Sequence, residues 1–373
     1  MTHLGPYTDW VAAARLSRER PASSDDLTRY LAFAPREPEA LDPRREKTWR
    51  ARAIQAEEIS WSCGYGPRTE AWLYYPAEMT RPCPGLVLLH DHGAFKYWGK
   101  EKVADGPEGM AAGLADFRQR GYGGEALATV LARAGYAVLV PDAFLWGSRR
   151  VPYECMPEND RLVGRLQFEE LNRVNPPGWS ALPEEVRRYN TAACPHEHTM
   201  AKYATVLGTT LAGIVSFEDT VAARYLKSRS DVCDGWIGCV GLSGGGMRSA
   251  LLRGTCDLIQ AAVVVGAMST YEGLLDTYID VHTWLLFPPA LARAGDWPDV
   301  VARRFASPVL VQYDADDELF SLEGMQAADE KLRAAFASSP HPGCYRGEFY
   351  PGPHKFDRAM QEAAIAWLRS LAR

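Results

Sequence analysis

The chain has 373 residues, 47% of them hydrophobic and 24% charged, and 41 Lys and Arg against 47 Asp and Glu leave a formal net charge of −6. That apolar share suits a folded chain and not a disordered one, no apolar run approaches the roughly 18 residues of a membrane helix, and no dense basic block offers a nucleic-acid face. A single α/β domain takes about 250 residues, which leaves about 120 to be placed.

The start, Met1-Thr2-His3-Leu4-Gly5-Pro6, lacks the basic, apolar and small-residue sequence of a signal peptide. The eight cysteines are scattered with no C-x-x-C pair, as in a reduced cytoplasmic protein. Residues 1–50 read as an N-terminal helical extension, with the Pro-, Glu- and Arg-rich 35–50 as a connecting segment. From 51 onward the chain reads as one domain. Strand patterns occur at 54–62 and 69–75, and short buried strands at 85–90 and 137–142 flank a helix near 124–134. Residues 148–200 carry Pro152, Pro157, Pro176, Pro177, Pro183 and Pro195 and read as an insertion. A long amphipathic helix is expected over 200–228, then strands at 236–241, 260–265, 308–313 and 346–350, and a closing helix. Alternating short apolar strands and helices give an α/β fold with a mostly parallel sheet covered on both faces.

The strand at 236–241 runs into Gly241-Leu242-Ser243-Gly244-Gly245-Gly246 before a helix. This is G-x-S-x-G in strand–turn–helix context. A serine on so sharp a turn sits in strained backbone, and its neighbours two places away must be small for strand and helix to approach. The helix N-terminus also aims N–H groups at the reacting centre, where they stabilise a developing oxyanion. Ser243 is therefore the expected nucleophile. A Gly-rich turn can instead cradle a phosphate. However, no G-x-x-x-x-G-K-[ST] is present, and no G-x-G-x-x-G stands at the first strand–helix turn.

A serine needs a base within reach and a group that orients the base. His282, His341 and His354 follow Ser243. His354 lies between the last strand and the last helix, the expected place for the base; His341 lies in a Pro-flanked turn and His282 precedes the last two strands. The acid should follow the strand at 308–313, where Asp314, Asp316, Asp317 and Glu318 fill four of five positions. Composition does not choose among them, and the cluster could equally solvate the loop or cap the next helix. Asp276 and Asp280 are weaker substitutes.

Four segments carry a family resemblance: Leu89-His90-Asp91-His92-Gly93, Asp142-Ala143-Phe144-Leu145-Trp146-Gly147-Ser148-Arg149, Gly241 to Gly246, and Asp317 with Pro351-Gly352-Pro353-His354. Over residues 50–373 the chain resembles the α/β-hydrolase superfamily, in particular the dienelactone hydrolase and acetyl xylan esterase-like branch of bacterial serine esterases. The resemblance implies Asp317 as the acid of a G-x-x-D pattern in which Asp314 replaces the glycine. Dienelactone hydrolases proper use a cysteine nucleophile, so Ser243 favours a serine esterase. The implied oxyanion donors are the backbone N–H of Gly244 and that of Ala94, with Gly93 the close competitor.

His90-x-His92 and His196-x-His198 are too few ligands for a zinc site, and no metal or cofactor is expected. The second pair is expected to cap a helix or line the cleft. Phe95 and Trp146 are expected substrate contacts, though the aromatic run at 95–98 could also be a packed loop. Arg149 and Arg150 could bind a substrate carboxylate, with a structural ion pair the commoner use. The expected activity is hydrolysis of a small-molecule carboxylic ester by Ser243, His354 and Asp317 through an acyl-enzyme, without nucleic-acid or membrane partners. An amide, peptide or carbon–carbon hydrolase on the same triad is the alternative, followed by a non-catalytic binding protein of this fold. Monomer and homo-oligomer both stay open. The surplus length falls in residues 1–50 and in lid-like insertions at 94–121 and 148–200.

Overall fold

A computed structural model describes residues 2–19, 27–51, 53–78, 82–275, 278–289, 291–293 and 295–372. Asp276 lies outside the described residues. The strands are β1 (Leu41–Ala51), β2 (Ile54–Ser62), β3 (Thr69–Pro76), β4 (Cys83–Leu89), β5 (Ala137–Pro141), β6 (Val232–Leu242), β7 (Ile259–Val265), β8 (Val309–Asp314) and β9 (Tyr345–Tyr350). They form one sheet in the order β1-β2-β3-β5-β4-β6-β7-β8-β9. The first three strands are antiparallel to one another, β3 is antiparallel to β5, and β5 through β9 run parallel. The helices are α1 (Trp10–Glu19), α2 (Thr28–Leu31), α3 (Leu114–Tyr122), α4 (Leu127–Arg133), α5 (Glu158–Val174), α6 (Glu184–Val206), α7 (Leu211–Lys227), α8 (Gly244–Thr255), α9 (Glu272–Leu275), α10 (Trp297–Ala302), α11 (Leu322–Ala337) and α12 (Arg358–Leu371).

Strand side chains alternate between faces, so each central strand feeds two cores. Val87, Leu89, Leu139, Val264 and Val311 join Ile214, Val221, Met247 and Leu251 of α7 and α8. Leu86, Leu88, Val138, Val140, Val263 and Leu310 join Leu127 and Leu131 of α4 and Met360, Ala364 and Leu368 of α12. Burial on both faces explains why these strands read as continuous apolar runs.

Two expectations need correction. The helical extension over 1–50 ends early, because Leu41–Ala51 is β1. Its Arg44, Arg45, Lys47 and Arg50 are exposed and two register shifts interrupt its pairing with β2, so a charged, bulged edge strand passes for a polar linker. The single helix over 200–228 is two helices, α6 and α7, bent by 89°. Thr210 starts α7: its Oγ1 accepts from Gly213 N at 2.9 Å and donates to Leu31 O at 2.8 Å. The Pro-rich segment 148–200 is largely helical, because Pro157 and Pro183 stand at the N-caps of α5 and α6. A missing N–H costs nothing where a helix begins. Among the described residues no single helix is long and apolar enough to cross a membrane.

The N-terminal residues pack onto this body. Tyr7 and Trp10 lie against Phe144, with ring centroids 4.8 and 5.4 Å apart. Behind them Arg149 is fully buried, ion-paired with Glu218, hydrogen-bonded to Tyr65 O at 3.1 Å, and set against the Tyr7 and Tyr65 rings. It therefore fills the structural role. Arg149→Met would leave Glu218 charged and unpaired in the interior, and should cost about 3–5 kcal/mol. The urea midpoint measures this; an unchanged midpoint would contradict the pairing.

Candidate active site

Ser243 follows β6 as the N-cap of α8, with φ 58° and ψ −124°. A non-glycine residue in that region is strained, and such strain persists only where the surroundings enforce it. Here the surroundings are close backbone. A β-carbon at Gly241 would lie 2.4 Å from the Gly245 carbonyl, and one at Gly245 would lie 2.0 Å from Leu89 O. The G-x-S-x-G spacing is thus a packing requirement between β4, β6 and α8. The Ser243 N–H donates to Val265 O at 2.8 Å, tying the turn to the end of β7.

His354 lies on the loop between β9 and α12. A β-carbon at the next residue of the β7 end, Gly266, would stand 3.0 Å from His354 Cε1, so the ring sits beside the Ser243 turn. His354 Nδ1 and Asp317 Oδ2 are 2.7 Å apart. Asp317 is buried and its Oδ1 accepts from Leu319 N at 2.8 Å, which fixes the carboxylate plane. The opposite ring atom, His354 Nε2, is buried and has no hydrogen-bond partner among the described residues. Catalytic hydrogen bonds are often open until substrate binds. Burial alone would hold the imidazole below its ordinary pKa; the hydrogen bond and charge of Asp317, with Asp314 and Glu318 nearby, outweigh it and raise the pKa.

The other carboxylates of the cluster hold the histidine loop. Asp316 Oδ2 accepts from Gly352 N at 2.8 Å, Glu318 Oε2 from His354 N at 3.3 Å, and Asp314 Oδ2 from Lys355 N at 3.0 Å. Asp314 is fully buried, and burial pushes its carboxyl up to about 7. In an unfolded chain it titrates near 4, so its ionisation opposes folding increasingly from pH 4 to 7 and by a constant amount above that. Asp314→Asn should therefore gain on the order of 4 kcal/mol at pH 8 and almost nothing at pH 4. Urea denaturation at the two pH values checks this; an equal change at both would contradict it. Ligand atoms of Asp314, Asp317 and His354 lie within 4.8 Å of one another, and His354 Nδ1 and Asp317 Oδ2 are hydrogen-bonded to each other.

His282 is otherwise engaged: its Nε2 lies 2.8 Å from Leu319 O and its ring packs on Phe320 at 4.6 Å. Asp280 and His341 are exposed. His196 and Glu197 lie in the middle of α6, which corrects the capping expectation. Glu197 is a buried anchor: His92 Nε2 donates to it at 2.9 Å, Thr283 Oγ1 at 2.6 Å and Trp284 N at 2.9 Å, and Lys96 pairs with it. The Lys96 ammonium and the hydrogen bond from His92 hold its carboxyl well below the usual range despite burial. The insertion helix, the loop after β4 and the segment at 283–284 thus meet on one side chain.

The loop after β4 differs from expectation at Ala94. Its N–H donates to His92 Nδ1 at 3.1 Å, with φ 54°, so that amide is already engaged. The backbone nitrogen beside the Ser243 turn is that of His92, which would lie 2.8 Å from a β-carbon at Gly244. Phe95 packs on Trp98 and Phe117, with centroids 6.2 and 5.4 Å apart. Trp146 is buried with its ring edge-on to His92 at 5.2 Å and under the Lys96 ammonium at 4.4 Å, and lines a small cavity with Gly244, Arg248 and Leu285. Arg150 lies over the Tyr97 ring at 4.4 Å.

No family model matches the chain. It is 22% identical over 303 residues to the protein of Bacillus subtilis (strain 168) named "Putative hydrolase YtaP", covering 81% of this chain and 83% of that one. Similar solved structures include a "putative acetyl xylan esterase (BF1801)" from Bacteroides fragilis, with TM-score 0.60, 14% identity and coverage of 97% and 87% of the two chains. A glucuronoyl esterase from Solibacter usitatus superposes with TM-score 0.57 at 11% identity, covering 98% and 92%. The fold is that of the α/β-hydrolases, as the resemblance implied.

Proposed function

We propose that this chain is a serine esterase that cleaves a carboxylic ester through an acyl-enzyme. The observation that carries the reading is the His354–Asp317 hydrogen bond, with the His354 ring against Gly266 at the end of β7, the strand end to which a serine held at φ 58° is bonded through Val265 O. The similar structures named as esterases support the choice of an ester over other acyl substrates. Ser243 Oγ attacks the acyl carbon while His354 Nε2 takes its proton. The tetrahedral oxyanion collapses, the C–O bond to the alcohol breaks, and His354 returns the proton to the leaving oxygen. Water then attacks the acyl carbon, giving its proton to His354 as Ser243 leaves and recovers it. Asp317 holds the tautomer with Nε2 facing the serine and stabilises the imidazolium.

The oxyanion donors in this reading are the backbone N–H groups of Gly244 and His92. His92 takes the place of Ala94, because the Ala94 N–H is bonded within its own turn. Rates on acetyl and butyryl nitrophenyl esters against the matched anilides test the reaction class. Turnover of the esters is expected; a preference for the anilides would favour the amide-hydrolase alternative.

A further inference from the structure

Three consecutive carbonyls in the loop after β4 accept from buried cations. Arg248 Nη1 donates to His90 O at 3.0 Å, and Lys102 Nζ donates to Asp91 O at 2.5 Å and to His92 O at 2.9 Å. Lys102 comes from the short 3-10 turn Lys100–Lys102, and its side chain is fully buried. Arg248 is committed to Asp219 through two bonds of 3.0 and 2.6 Å. Lys102 has no such close carboxylate partner among the described residues: Asp91 Oδ2 is 3.8 Å away, and the other oxygen of that carboxylate accepts from Tyr122 at 2.6 Å. Thus an ammonium group is taken wholly out of solvent to contact two backbone oxygens.

Those oxygens belong to the peptides whose nitrogens are His92 N and Gly93 N. A peptide is a conjugated unit, so a cation on its oxygen draws electron density from its nitrogen and sharpens the N–H as a donor. In the low-dielectric interior this polarisation is larger than in water. We propose that Lys102 is a positioning residue of the oxyanion site, which holds the 91–92 turn and polarises the peptide whose His92 N–H faces the reacting carbonyl. The inference rests on the serine-esterase reading and adds to it a residue that substrate never touches.

The charge on Lys102 is itself conditional. Burial lowers its pKa to about 8, with Asp91 raising it and Arg248 lowering it. The groups facing it are Asp91 and His90 from the β4 loop, Arg248 from α8, Arg118 and Tyr122 from α3, Asp142 after β5, and its own neighbours Lys100 and Glu101. Lys100 is neutralised by Asp142 at 2.9 Å and Glu101 at 3.1 Å. Loss of the Lys102 proton should therefore weaken the oxyanion site as the pH rises through about 8.

The test uses a chromophoric acyl-enzyme on the full chain, with its carbonyl stretch followed by isotope-edited infrared difference spectroscopy. Lys102→Met keeps the length of the side chain and removes the charge. Relative to the native protein it should lower kcat about tenfold with KM within about twofold, a fraction of the loss seen when a whole donor is removed. The acyl carbonyl stretch should move to higher frequency, and the fall of kcat above pH 8 should disappear. A folded Lys102→Met chain with unchanged kcat and unchanged stretch would overturn the proposal. If the variant does not fold, the native acyl-enzyme decides alone: its carbonyl stretch should rise with pH through about 8, and a stretch constant from pH 6.5 to 9.5 would overturn the proposal. Failure to form any acyl-enzyme on Ser243 would instead count against the esterase reading itself.

Discussion

Ser243→Ala is expected to lower kcat for ester hydrolysis by about 10⁴–10⁶-fold, leaving only what oxyanion donors and binding contribute without a nucleophile. The turn itself offers no substitute nucleophile: Gly244, Gly245 and Gly246 follow Ser243, and Leu242 precedes it. Stability should barely change, because alanine adopts the same strained φ and the Ser243 N–H bond to Val265 O is a backbone bond. Ser243→Gly should be equally inactive yet melt higher than Ser243→Ala, because glycine meets φ 58° without strain. Initial rates on a nitrophenyl ester, with melting curves of both variants, check this. Activity within tenfold of the native chain would remove Ser243 from the mechanism.

Asp317→Asn should cost about 10³–10⁴ in kcat and also move the acid limb of the pH profile. The sign follows from what raises the His354 pKa. A general base must be neutral, so kcat rises as pH passes up through the histidine pKa, which the native site holds above the ordinary imidazole value. Asparagine removes the hydrogen-bonded negative charge and leaves burial, which favours the neutral ring. The limb should therefore shift to lower pH while the plateau falls. Asp314 and Glu318 remain, so the shift is partial. A plateau that falls with no movement of the limb would mean that Asp317 acts on the loop and not on the ring.

These two positions were legible to different degrees. The Ser243 motif is a local steric demand: glycines at 241 and 245 are required because α8 crosses β4 and β6 at backbone contact, and such demands leave a spacing in the chain. The acid leaves none. Asp314, Asp316, Asp317 and Glu318 are all used, each on a different atom of the loop that carries His354, so composition alone does not distinguish them. The family pattern supplied the choice of Asp317, whose Oδ2 lies 2.7 Å from His354 Nδ1.

Where the chain was misread, the cause is context. The strand Leu41–Ala51 pairs on one side only and keeps its charges in solvent, so it lacks the apolar signature of the central strands. The Ala94 N–H is engaged by the ring of His92, two residues back, a turn bond that depends on φ at Ala94 and leaves no spacing to read. Glu197 and Lys102 were missed because their partners lie 105 and 11 residues away, on a side chain in one case and on bare carbonyls in the other.

The central claim is that Ser243 carries the acyl group, and trapping that group tests it most directly. The protein is mixed with a nitrophenyl acetate, quenched in acid during the first turnover, digested and mapped by mass spectrometry. The account predicts one acetyl group per chain on the peptide containing Ser243, absent in Ser243→Ala and accumulating with a burst of nitrophenol. Sustained hydrolysis with no acyl group on Ser243, or an acyl group on a different residue that turns over at the rate of hydrolysis, would contradict it.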